Sequence, residues 1–190
     1  MKLRTYKSGL SLVELLVVIT VIIALVGLVG GIYTAVRKKG ARTKSEAIAI
    51  AVEKAINDYH NAYGKFPPPA SNSTAEGFSI VSDSADMNTL LLELLGETTT
   101  VNYKGTAFLD LDNARGGVGV IIDNSGTLSL LDPKGETYEL IFNTTYDPEG
   151  ITIPAAFQTS ETTTTQATVI VFNSGIDRTA GTPDDVKTWE

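Results

Sequence analysis

From Leu10 to Val36 the chain holds 27 consecutive residues in which Glu14 is the sole charged side chain. A helix rises about 1.5 Å per residue and about 20 apolar residues match a bilayer core. Residues 10–36 are therefore expected to form a membrane-spanning helix. Lys2, Arg4 and Lys7 precede the run as a short basic leader, the charge bias that holds an N-terminus in the cytoplasm. On that reading the remainder, residues 37–190, faces outward. An acid in a membrane helix costs about 2.5 to 3.5 kcal/mol near the centre and less near the end. Glu14 thus calls for a partner, the plain alternative being a signal anchor with an incidental acid near the interface.

An ordinary secretory signal has a shorter apolar core followed by a small-residue cleavage site. Here the small residue, Gly9, stands before the core, so cutting there leaves the whole apolar helix on the product. The chain as a whole has 15 basic and 22 acidic residues, and without the three leader cations 12 against 22, a net charge of −10. That balance gives nucleic-acid binding no support. Arg37, Lys38, Lys39, Arg42 and Lys44 cluster just past the apolar run, facing lipid head groups or acidic neighbours, or simply solvating its end. Without cysteine, neither a disulfide nor a thiolate site is possible.

From Thr43 to Tyr63 apolar residues recur every three or four positions among Glu46, Glu53, Lys54 and Asp58, predicting an amphipathic helix stopped by Gly64. If it continues the first run, Gly27, Gly30, Gly31 and Gly40 are the places where it could bend or melt. A polar loop is expected from Ala70 to about Asp83, then a short helix from Met87 to Leu95 capped by Ser84 or Asp86. Strands are expected over Thr106–Leu111, Val118–Ile122, Thr127–Leu131, Thr137–Phe142 and Ala167–Phe172. Thr159–Gln166 is threonine-rich without core periodicity and reads as an exposed loop, with a glycosylated patch as the alternative. The fold class is α+β, an antiparallel sheet on the half-buried end of a long helix.

Basic leader, Gly9, apolar Leu10, acid at the fifth place after the cut and a long apolar helix together resemble the class III signal of the type IV pilin and type II secretion pseudopilin family. Asp58-Tyr59 with Tyr63-Gly64-Lys65-Phe66-Pro67 is similar to the helix end and turn of the major pseudopilins, and Leu131 to Tyr138 to their "DPWGxPY" segment. Residues 173–189 resemble their calcium loop, with Arg178 where glycine is usual.

The resemblance implies a pilin-like fold and cleavage of residues 1–9 by a prepilin peptidase between Gly9 and Leu10, with N-methylation of Leu10. It further implies Glu14 in assembly and Ca2+ held by Asp177, Asp184 and Asp185. Its partners would be copies of itself in a helical filament, minor pseudopilins, and an inner-membrane assembly platform with its ATPase. Its place would be the bacterial inner membrane as a single-pass protein, N-terminus cytoplasmic and domain periplasmic, before entering a filament. A type IV or minor pilin in adhesion, motility or DNA uptake is the alternative, and a non-polymerising membrane-anchored binding domain is the alternative of another class.

On chemistry alone, three acids in a loop are usually just solvated, and the spacing is not that of an EF-hand. Asp110, Asp112 and Asn113 show nothing beyond turn chemistry. His60 is the sole histidine and no glycine-flanked nucleophile or phosphate loop is present, so no catalytic residue is assigned and an enzyme is not expected.

Overall fold

The computed structural model describes residues 11–98, 101–110, 119–160 and 162–189, with side chains outside residues 28–35 of the first helix. Helix α1 runs unbroken over Leu12–Tyr63. Gly27 and Gly40 lie inside it; a glycine costs a helix only about 1 kcal/mol, which the flanking helix formers offset. Gly64, at a φ of 69°, ends it, its N–H bonding to the His60 carbonyl in a left-handed cap.

The chain divides into two compact units, Met1–Lys39 and Gly40–Glu190. Among the described residues no helix is long and apolar enough to cross a membrane. This corrects two expectations: the membrane-spanning helix over residues 10–36, and the single-pass inner-membrane placement with a cytoplasmic N-terminus and a periplasmic domain. Past Val36, α1 carries Arg37, Lys38, Lys39, Arg42 and Lys44, and from Ile48 its buried apolar residues are taken up by the core of the second unit.

The second unit is built on the stripe Ser45, Ile48, Ala49, Val52, Ala55, Ile56 and Tyr59, all buried and spaced by one, three or four residues. The stripe shares a core with Leu90, Leu91 and Leu94 of α2 (Ala85–Leu94) and with the front of a four-stranded antiparallel sheet. The strand order is β1 (Phe78–Val81), β4 (Glu139–Phe142), β7 (Val169–Asn173), β8 (Val186–Lys187). Register places Ile80, Leu140 and Val171 side by side on the helix-facing side. A hairpin of β2 (Gly119–Ile122) and β3 (Leu128–Leu131) adds Val120, Leu128 and Leu130 to the same core.

Two buried tyrosines tie these layers. Tyr138 Oη lies 2.7 Å from Ser45 Oγ, and Tyr59 Oη donates to Glu93 at 2.8 Å. Ser84 caps α2, accepting from Met87 N–H at 3.2 Å.

The back of the sheet has a second core: Ile141, Ile170 and Phe172 are covered by Ile151, Ile153 and Phe157. These come from the segment between β4 and β7, whose β5 (Ile151–Thr152) pairs with β6 (Thr164–Thr165). The threonine-rich stretch is therefore exposed along most of its length yet partly a strand, and the residues ahead of it form the roof of the back face. Thr106–Leu111 departs from the expected strand: Thr106 to Asp110 forms none. The Asn102 side chain clasps Thr106 through N–H and carbonyl, while Phe108 and Leu109 N–H bond the Leu94 carbonyl, satisfying the open end of α2. Within the polar loop expected to end at Asp83, Phe78–Val81 is instead strand β1, paired with β4.

If the segment between β4 and β7 is a roof, Phe157→Ala should cost about 3 kcal/mol or more of unfolding free energy, as for a truncated core aromatic. Thr163→Ala, exposed beside it, should stay within about 0.5 kcal/mol. Equilibrium denaturation of the two variants checks both; equal, negligible losses would return the segment to a passive loop.

Candidate functional site

Two places hold the residues singled out by the sequence. At the start of α1, Glu14 Oε2 accepts from Ser11 N–H at 2.8 Å while Ser11 Oγ accepts from Glu14 N–H at 3.2 Å. This is a reciprocal capping box. Glu14 thus has a local partner within its own chain, one that sequence reasoning missed although the Ser-x-x-Glu spacing is its signal. Beyond it Leu12, Ile23 and Val26 are 82%, 70% and 66% exposed, part of an apolar flank running from Leu12 to Val26. Gly9 and Leu10 lie outside the described residues, as do Asp112 and Asn113.

The second place is the loop between β7 and β8. Asp184 Oδ2 accepts from Ile176 and Asp177 N–H at 2.8 and 3.0 Å, and Oδ1 from Thr182 Oγ1 at 2.7 Å. The Thr182 hydroxyl, with these backbone donors, holds Asp184 below the usual carboxylate range. Asp177 Oδ1 accepts from Thr179 N–H at 2.8 Å. Asp185 Oδ2 accepts from Gly181 N–H at 2.8 Å, whereas its Oδ1 is buried without a hydrogen-bond partner. Burial pushes the Asp185 carboxyl up.

The two shifts act oppositely on stability. Asp184, depressed in the fold, stabilises it above its unfolded value and loses that contribution as pH falls through the folded value. Asp185, raised in the fold, favours folding when protonated and loses that contribution as pH rises through its folded value.

Arg178, at a φ of 62°, is a left-handed non-glycine residue standing where the resemblance has glycine. Its Nε pairs with Glu136 Oε1 at 2.5 Å and its Nη2 reaches the Lys134 carbonyl at 3.4 Å, tying the loop to the β3–β4 turn. Sequence reasoning gave no sign of that pair, because its partners are 42 positions apart.

Among the described residues, no three of His, Asp and Glu converge in a group that could hold a metal ion. The structure brings Asp177, Asp184 and Asp185 into one loop, but most of their oxygens face loop donors. The orphaned Asp185 Oδ1 and the all-oxygen chemistry suit a hard cation, and binding one requires Asp177 and Asp184 to exchange loop hydrogen bonds for it.

The chain matches no protein-family model, no curated protein and no solved structure.

Gly175 sits at a φ of 67°, and a Cβ there would lie 2.2 Å from the Asp184 carbonyl oxygen. Gly64 has a similar φ with nothing nearby. Gly64→Ala should therefore cost the left-handed penalty alone, about 1 to 2 kcal/mol, and Gly175→Ala distinctly more, because the loop must also move. Thermal melting of both variants tests the close approach; equal losses would refute it.

Proposed function

We propose that this chain is a structural subunit of a pseudopilus that drives protein secretion, most like a major pseudopilin. The observation that carries the reading is α1 itself. Its later turns are consumed by the core of the second unit, while Leu12 to Val26 presents a run of exposed apolar side chains. Apolar surface of that extent marks an interaction site, and copies of the same helix are complementary to it. Helices packed side by side would form the filament core.

The sequence motifs supply the remaining parts of the reading. A prepilin peptidase would cut between Gly9 and Leu10, and an assembly platform with its ATPase and minor pseudopilins would add subunits. Glu14, already at the helix start, would exchange its Ser11 N–H for the Leu10 amine of a neighbour, a charge pair that sets axial register. Calcium belongs to the same proposal: Asp185 Oδ1 is the oxygen it would satisfy, with Asp177, Asp184 and loop carbonyls completing a shell.

Electron microscopy of assemblies sheared from cells producing the full chain should show thin filaments whose subunits begin at N-methylated Leu10 by mass analysis. Glu14→Ala should yield several-fold fewer filaments. Subunits beginning at Met1, or a chain that never assembles, would overturn the reading. Calcium should raise the melting temperature of the wild-type chain and chelator should reverse it. Asp185→Asn should melt no lower than wild type in chelator near pH 7, since a penalised buried charge is gone, yet should lose the calcium shift. An unchanged wild-type melting temperature on adding calcium would remove the ion from the proposal.

A further inference from the structure

The back face of the sheet is roofed only in part. Beyond the roof lies a groove of about 130 Å³ walled by Val81, Phe157, Phe172 and Asn173, with Glu136 and Glu139 in its lining. The two acids differ. Glu136 is paired with Arg178. Glu139 lies between Val81 and Phe172 in the strand register, and among the described residues no side chain hydrogen-bonds or ion-pairs with its carboxylate. Partial burial pushes Glu139 up from the ordinary carboxylate range, burial being the sole cause. A carboxylate held against Val81 and Phe172 is costly to ionise without a cation beside it.

The chain has a matching cation source. Residues 37–44 hold Arg37, Lys38, Lys39, Arg42 and Lys44 and no acid, while residues 45–190 hold 7 basic and 21 acidic residues, a net charge of −14. Arg42 pairs with Glu46, one turn along α1. Lys38 and Lys39 are exposed. A lysine is suited to such a groove in both its parts: its methylenes lie along apolar walls and its ammonium ends at a carboxylate. The groove has room for one long side chain.

We infer that the groove over Glu139 receives Lys38 or Lys39 from a second copy of this chain, an electrostatic lock between neighbouring subunits. The inference rests on the filament reading and adds a contact outside the apolar helices. It also gives the basic segment a protein partner in place of a lipid surface. Because both charges are exposed or half-exposed in the separate chains, assembly should weaken as ionic strength rises.

The absence of native cysteine makes the contact directly testable. Full-length chains bearing Lys38→Cys or Lys39→Cys are mixed with chains bearing Val81→Cys, allowed to assemble and oxidised. A disulfide heterodimer is expected for at least one lysine position, several-fold more abundant than with Asp123→Cys, an exposed turn residue, in place of Val81→Cys. Glu139→Gln, nearly isosteric, should reduce pelleted assemblies several-fold and flatten their salt dependence. Lys38→Glu with Lys39→Glu should do the same, and combining this double change with Glu139→Lys should restore part of the loss. Assemblies that form normally without either heterodimer overturn the lock and leave the filament reading standing. Chains that stay monomeric under all conditions overturn both. Assemblies indifferent to Glu139→Gln, with the lysine changes lowering only co-sedimentation with phosphatidylglycerol vesicles, would assign the basic segment to lipid and overturn the lock.

Discussion

The buried stripe of α1 from Ser45 to Tyr59 is the constraint on which the second unit depends. An isolated helix gains little in water, and it is the apolar face closed against a sheet that holds one in place. Here the stripe presents small residues, Ala49 and Ala55, and larger ones, Ile48, Val52, Ile56 and Tyr59, to α2 and to the front of the sheet. Two hydroxyl contacts then fix its rotation. Tyr138 on the sheet meets Ser45, and Tyr59 on the helix meets Glu93 of α2, so both buried hydroxyls are satisfied only in this orientation. Burial and the neighbouring Glu93 carboxylate also push the Tyr59 hydroxyl far above its ordinary value, keeping it a neutral donor at any physiological pH.

From that frame the two functional regions follow in opposite ways. The N-terminal part of α1 is the same helix with apolar side chains from Leu12 to Val26 exposed. The loop between β7 and β8 is polar and self-satisfied, its aspartates spent on turn donors and Arg178 anchored on Glu136. The unmet groups, Asp185 Oδ1 in the loop and the Glu139 carboxylate on the back face, are where a cation would change the energy most. One suits an ion and the other a lysine, because Asp185 Oδ1 is buried without a partner inside the loop while Glu139 opens onto a groove.

Periodicity alone located the amphipathic half of α1, the helix capped by Ser84, and the strands now seen as β2, β3, β4 and β7, since each repeats its own local pattern. The aspartates of the C-terminal loop stand out through the family resemblance, whereas the Ser11–Glu14 capping box was not read from the sequence. Hydropathy predicts a membrane span over residues 10–36, whereas among the described residues no helix is long and apolar enough to cross a membrane. What only the tertiary structure decided is pairwise and distant. β1 is four residues long with one buried, and becomes a strand because β4 offers it hydrogen bonds. The Thr106 run loses its strand because Asn102 and the end of α2 take its backbone groups. The roof over the back face, the Arg178–Glu136 tie and the partnerless Glu139 depend on which residues meet across the fold. No local period encodes such meetings, because burial and pairing are settled by the whole chain closing on itself.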